Sequence, residues 1–371
     1  MKAVMKSNLL CYLGFSHCLG IGPTRLQNLL SHLPGAEEAY EAPHKQIASI
    51  IGPITAAKFV EFRSKFNPEE KMKECEKKGI RVVCWEDEDY PVPLKTISDP
   101  PICLYIKGKL ELIDFESDFL FAVVGTRKPT SYGQQLATRF SNQLSEAGVI
   151  IVSGMAIGID TLTHRGAIDQ GGKTIAVLGC GVDIVYPPTN GRLYEEIISG
   201  KGIVISEFPP GMTVQPGLFI ARNRIISGLS RGVLVVEGAK HSGALITARY
   251  AAEQGKDVFA PPGPITSEMS EAPNLLLKEG AKLVTRVEDI LEEYNMTPLL
   301  RYKTAPDFAG QAQKLTSEEK KIYELLGREA LTIDEIGLTL KQSIQEVSNT
   351  LSVMEIKGIV EKNSEGKYMI V

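Results

Sequence analysis

Apolar positions along this chain change their period twice, and the changes divide it. At the start Leu9, Leu10, Leu13, Leu19, Leu26, Leu29 and Leu30 recur at helical spacing, so the opening is expected to be helical. From about residue 119 the pattern turns into short, almost continuous apolar runs. These are Phe119 to Val124, Val149 to Val152, Ile175 to Leu178, Ile203 to Ile205, Val233 to Val236 and Asp257 to Phe259. Strands that are apolar throughout and separated by helical stretches predict a parallel sheet covered on both faces, an α/β, Rossmann-like, doubly wound fold. Near the end a helix opens at Ser317-Glu-Glu, Leu331-Thr-Ile333 is strand-like, and helices follow near Asp334 to Thr339 and Ile344 to Lys357. A hairpin from Ile359 to Val371 completes a winged-helix order.

The expected units are therefore residues 1–113, 114–294 and 315–371, with a polar linker at 295–314 that carries Pro298, Pro306 and Gly310. In the first unit Gly20-Ile-Gly-Pro23 and Ile51-Gly-Pro-Ile54 each precede a helical stretch. They fit a SAM-like or helix-hairpin-helix-like domain, whose glycine turns expose amides to a nucleic-acid phosphate. They also fit a small helical bundle in which Gly-Pro turns stop one helix and start the next.

Composition adds little to this division but excludes several classes. The 371 residues are 43% hydrophobic, enough for a core in each unit, and no apolar run is long enough to span a bilayer. With no secretory pattern at the N-terminus, the expected location is the cytoplasm. The six cysteines include no CxxC pair and the five histidines lack metal-ligand spacing, so no disulfide frame and no metal site are expected. The formal charge of -4 hides an uneven distribution. Gln215 to Lys256 holds six cations against two acids, whereas Leu315 to Val371 holds seven against ten. A polyanion is expected on the middle of the chain. The acidic third helix of the winged unit favours a protein contact or a regulatory lid over base readout.

The candidate chemistry sits in glycine-rich loops at strand ends, where doubly wound folds bind ligands. After the first strand come Gly125, Thr126 and Arg127, and a helix follows, so amides, a hydroxyl and a guanidinium converge on one spot suited to phosphate. The layout recurs with Ser153 and Gly154, and again with Lys240, Ser242 and Gly243. Phe219, Arg222 and Arg224 supply an aromatic face and two cations within six residues, the pairing that single-strand binders use for bases and phosphates. Phe219 could instead be core packing, with the arginines paired to Glu207 or Glu237. Asn223 either contacts phosphate or orients backbone. His164 is read as structural, because no nucleophile with a matching base stands beside it. No GxGxxG follows the first strand, and no cofactor is expected.

The central unit closely resembles the DNA-processing protein A family, also called DprA or Smf. The resemblance rests on Val124-Gly-Thr-Arg-Lys-Pro-Thr-Ser-Tyr-Gly133, Ser153-Gly-Met-Ala-Ile-Gly-Ile-Asp160, Ser206-Glu-Phe-Pro209, Phe219-Ile-Ala-Arg-Asn-Arg224 and Ser242-Gly-Ala-Leu-Ile-Thr-Ala248, in family order. It implies a non-enzymatic protein that binds and shields single-stranded DNA during natural transformation or homologous recombination and loads the RecA recombinase. It also implies a homodimer formed through the Rossmann-like unit. Thr126 stands where serine is usual and keeps the hydroxyl; Ile157 and Ile220 replace a polar residue and a proline. The competing reading is a hydrolase acting on nucleoside monophosphates, with Glu207 or Glu237 as acid and Arg127 or Arg224 on the phosphate. A third is a protein adaptor acting through its winged helix alone.

Overall fold

The computed structural model describes residues 2–296, 315–327, 330–356, 359–362 and 366–370. The chain divides into two compact units, Met1–Pro298 and Leu299–Val371. The expected linker at 295–314 lies, from residue 297 onward, outside the described residues.

The first unit opens with helices α1 (Lys2–His17), α2 (Pro23–His32), α3 (Ala36–Glu41), α4 (His44–Ile51), α5 (Pro53–Lys65) and α6 (Pro68–Lys77). Their apolar stripes close on a core of Leu13, Phe15, Leu26, Leu29, Ile47 and Phe59, none of which reaches solvent. The Phe15 ring stacks on Phe59 at 5.1 Å and meets Tyr40 edge-on at 5.2 Å. Both Gly-Pro turns break one helix and start another. Gly52 takes φ +87°, a region L side chains avoid, and Pro53 opens α5 with its φ already helical.

A nine-stranded sheet follows, in the order β1-β2-β6-β5-β4-β3-β7-β8-β9. Its strands are β1 (Arg81–Cys84), β2 (Cys103–Gly108), β3 (Leu120–Val124), β4 (Ile150–Ser153), β5 (Thr174–Val177), β6 (Gly202–Ser206), β7 (Gly232–Val235), β8 (Asp257–Ala260) and β9 (Lys282–Leu283). From β6 to β9 every pairing is parallel, whereas β1 and β2 run antiparallel along the β6 edge. These two strands precede residue 113, so the sheet draws in residues that the pattern assigned to the helical unit. Their pairing is non-local: Tyr105 lies opposite Ser206. Nothing near β2 in sequence announces that partner.

Between the strands lie α7 (Val92–Lys95), α8 (Ser131–Glu146), α9 (Ile159–Asp169), α10 (Gly191–Glu196), α11 (Pro216–Leu229), α12 (Gly243–Glu253) and α13 (Glu271–Lys278), and α14 (Glu288–Leu291) follows β9. All five residues of β3 are buried, because the sheet is covered on both sides. One face packs Leu120, Ala122 and Val124 against Ile225, Ile226 and Leu229 of α11 and against α12. The alternate side chains, Phe121 and Val123, point to the opposite face. Each such buried aliphatic or aromatic side chain contributes roughly 1.5–3 kcal/mol.

The strand order makes β3 the switch point. Its neighbours β4 and β7 belong to connections that wind away in opposite directions, which leaves a gap above the carboxyl ends of β3 and β7.

The second unit has its own core of Ile322, Tyr323, Leu326, Ile336, Val347, Leu351, Met354, Val360 and Tyr368. It comprises α15 (Ser317–Leu326), α16 (Ile333–Leu340), α17 (Ile344–Ile356) and the hairpin β10 (Val360–Lys362) with β11 (Tyr368–Ile370). Leu331 forms a bridge with Tyr368, which gives the strand-like segment its place. Thr316, one residue before the expected start, caps α15 in a capping box with Glu319, and Thr332 does the same for α16 with Glu335.

Candidate functional site

The gap above β3 and β7 is a crevice of about 800 Å³. Its first wall is the loop after β3. The Thr126 carbonyl accepts the Ile159 N–H at 3.1 Å and its hydroxyl accepts the Lys128 N–H at 3.2 Å, which fixes the turn and leaves Arg127 and Lys128 exposed at the mouth. Thr130 then caps α8 by accepting the Gly133 N–H.

A buried carboxylate joins this wall to the next. Glu237, just after β7, accepts the Thr130 N–H at 2.9 Å and the Thr130 hydroxyl at 2.6 Å. A Cβ at position 133 would stand 2.1 Å from that carboxylate, so only glycine fits there. The second wall, after β7, is held by two backbone donors: Gly238 N–H to the Met269 carbonyl and Lys240 N–H to the Glu271 carboxylate at 3.0 Å. Ser242 caps α12 by accepting the Ala244 N–H. Lys240 and Gly243 remain exposed beside that helix start.

The floor is charged and buried. Arg222 of α11 is 4% exposed, and its Nη1 donates to the carbonyls of Gly154, at 2.7 Å, and of Val177. Its Nε donates to Asn223 Oδ1 at 3.2 Å. Asp160 lies beside it and accepts the Ala156 N–H. Burial holds the Arg222 guanidinium down to about 10, and it raises the Asp160 carboxyl despite the guanidinium nearby. Desolvation thus outweighs the attraction between the two charges for both groups. His164 is fully buried; burial first, then Arg222, pushes it down to about 3.

The expected residues divide on this geometry. Gly125, Thr126, Arg127, Arg222, Asn223, Lys240, Ser242 and Gly243 all line the crevice. Phe219 does not line it but flanks its mouth, half-buried, with the Arg127 guanidinium 5.3 Å and that of Arg222 6.0 Å from the ring centroid. Tyr186 stands 5.6 Å from the same ring and is partly exposed. Ser153 and Gly154 lie beneath the crevice. The Ser153 hydroxyl donates to the Val123 carbonyl, and Gly154 serves through its own carbonyl.

Arg224 departs from expectation. It makes a two-pronged ion pair with Glu207, at 2.5 and 2.7 Å, and a further one with Asp99 at 2.8 Å, and it stays out of the crevice. Arg222 and Arg224 are two positions apart on one helix, about 200° around its axis, so both cannot face one ligand. The same pairing occupies Glu207, and Glu237 is occupied by Thr130, so neither proposed acid lines the crevice.

Lys128, Asp160, Glu268 and Glu271 also line the site. Lys128 and Asp160 stand inside the loops already singled out and were legible there. Glu268 and Glu271 arrive from beyond β8, where no local pattern marks them. Among the described residues no group of three or more His, Cys, Asp or Glu could hold a metal ion, and no helix is long and apolar enough to cross a membrane. The arrangement can bind an anion through guanidinium, ammonium and helix-start amides, next to an aromatic face.

Known proteins share this architecture. Residues 81–295 match the family described as DNA recombination-mediator protein A, and residues 306–366 match the DprA winged helix domain. Protein Smf of Synechocystis sp. is 34% identical over 96% of this chain and 97% of its own. The X-ray structure of DNA processing protein A from Streptococcus pneumoniae aligns with TM-score 0.67 and 38% identity, covering 76% of this chain and 95% of that one. DNA processing protein A from Helicobacter pylori, solved to explain its single-stranded DNA binding mode, aligns with TM-score 0.52 and 29% identity over 58% of this chain and 95% of its own.

Proposed function

The chain belongs to the DNA recombination-mediator protein A family, and from that premise we propose that its crevice binds single-stranded DNA. The observation that carries this reading is the convergence of Arg127, Arg222 and Lys240 with the start of α12 beside the Phe219 ring. Phosphates need cations and amides; unpaired bases need a flat apolar face, each stack contributing about 1–3 kcal/mol. Both needs are met within one crevice mouth. The Helicobacter pylori relative, whose structure concerns its single-stranded DNA binding mode, supports the same ligand.

In the cell this protein would shield incoming or resected single strands and deliver them to the RecA recombinase, in natural transformation or homologous recombination. It would do so in the cytoplasm as a homodimer formed through the sheet-bearing unit. Residues 1–113 would form the N-terminal helical domain with its extension into the sheet edge, 114–294 the DNA-binding domain and 315–371 the winged-helix domain. The role is binding rather than hydrolysis, because the two carboxylates proposed as acids are spent on Arg224 and Thr130.

Fluorescence anisotropy of a labelled dT oligonucleotide and its duplex tests this, with wild type and Arg127→Ala at two salt concentrations. Tight, salt-sensitive binding to the single strand, weaker binding to the duplex and a clear loss in the variant are expected. Equal binding by both proteins would move the DNA site elsewhere. No binding at all would leave the adaptor or the hydrolase reading, which release of free base from a nucleoside monophosphate separates.

A further inference from the structure

One rim of the crevice is acidic, which a track for polynucleotide phosphates does not require. Glu268 and Glu271 line it across from Arg127 and Lys128. Glu271 spends one oxygen on the Lys240 N–H. The Glu268 side chain is exposed, and its carboxylate makes no hydrogen bond or ion pair among the described residues; only its backbone carbonyl is engaged, by the Glu271 N–H. A phosphodiester chain continuing past these carboxylates would be repelled by them, so the basic track ends inside the crevice. What fits beyond that point is neutral and rich in donors: a sugar hydroxyl or the amino edge of a base.

The floor adds a second observation. Arg222, buried to 4% exposure, commits Nε and Nη1 to protein acceptors, while its Nη2 has no hydrogen-bond partner among the described residues, and the residue lines the crevice. A buried guanidinium with Nη2 uncommitted, its charge disfavoured by burial, is stabilised by an entering anion. The space, about 800 Å³, lies within the range of small-molecule sites rather than of a groove for one phosphate.

We propose that the crevice binds a free nucleoside 5′-monophosphate. The phosphate sits on Arg222, Arg127 and the start of α12, and Glu268 accepts hydrogen bonds from the base amino edge or sugar hydroxyls. Such a nucleotide competes with single-stranded DNA for the same cations; this competition, unlike the nucleotide site itself, rests on the DNA-binding reading above. Guanine places N1–H and its amino group side by side toward a carboxylate, which makes GMP the probe.

Titration calorimetry of the full chain with GMP and with inorganic phosphate tests the site, and displacement of labelled dT oligonucleotide by each tests the competition. GMP is expected to bind at least about tenfold tighter than phosphate, and Glu268→Gln to erase about that factor, the size of one hydrogen bond to a charged group. The same variant should bind the oligonucleotide at least as tightly as wild type, because a carboxylate near phosphate has gone. GMP binding no tighter than phosphate, or insensitive to Glu268→Gln, overturns the proposal. Oligonucleotide binding without GMP binding refutes this site and leaves the DNA reading intact; GMP binding without oligonucleotide binding does the reverse.

Discussion

Replacing Arg222 with methionine tests the floor of the crevice directly. Methionine fills much of the same buried volume but donates nothing. The carbonyls of Gly154 and Val177 then lose their guanidinium donor, and Asp160 loses the nearby positive charge. Each buried acceptor left without a partner costs about 1–3 kcal/mol, and removing one member of a buried pair costs about 3–5 kcal/mol in all. Arg222→Met should therefore lower the stability of the first unit by about 3–5 kcal/mol. Asp160→Asn in the same background should recover about 1–3 kcal/mol, the coupling typical of groups that share one buried network. Acid should shrink the deficit as well. The Asp160 carboxyl is raised above its ordinary value of 3.8, so its favourable neutral form is fully present below that value and is lost as pH rises through the folded value. Arg222 opposes that rise, so its removal carries the loss to higher pH, and the variant should trail wild type less at acid pH than at neutral pH. Urea unfolding followed by the fluorescence of Trp85 measures this cleanly. It is the sole tryptophan and belongs to the first unit, so melting of the winged-helix unit does not intrude. Single-variant costs that add within about 0.5 kcal/mol would refute the pairing of Arg222 with Asp160.

His164 gives a second pH signal of opposite sign. Its folded value of about 3 lies far below the ordinary 6.5, so the stability it contributes is present above 6.5 and is lost as pH falls toward 3, at up to about 1.4 kcal/mol per unit. His164→Gln should flatten that limb of the urea-derived stability profile, and an unchanged profile would mean that the imidazole is not buried neutral. Glu207→Ala leaves the buried Arg224 with Asp99 as its one ion-pair partner among the described residues and should cost about 3 kcal/mol in urea unfolding. Binding of dT oligonucleotide, measured by anisotropy under native conditions, should stay within about twofold, because neither residue lines the crevice. Arg127→Ala should reduce the slope of log affinity against log salt by about 0.7, one phosphate contact on a single strand. An unchanged slope would take Arg127 off the phosphate path.

Much of the site is legible in the sequence alone. Gly125, Thr126 and Arg127 after an apolar run, and Ser242 with Gly243 before a helix, carry local signatures: strand end, tight turn, helix start. Local signatures depend on neighbouring residues, and neighbours are what a sequence displays. Helical period even separates the two arginines of α11. Phe219 and Arg222 are three apart and share a face, as the 6.0 Å approach of guanidinium to ring shows, while Arg224 turns away toward Glu207.

The chain's own pattern determined the alternation of buried strands and helices, the glycine-rich loops at the strand ends and the winged-helix order, because each follows from periodicity and turn chemistry over a few residues. Tertiary structure alone decided the rest. The antiparallel β1 and β2 join the sheet through partners about a hundred residues away. Glu237 ties two loops together across 107 positions, Arg224 is withdrawn by a carboxylate 17 residues off, and Glu268 and Glu271 reach the crevice from beyond β8. Desolvation, too, exists only once the chain has closed: Arg222 and Asp160 are shifted because folding removes the water that would otherwise dissolve both charges.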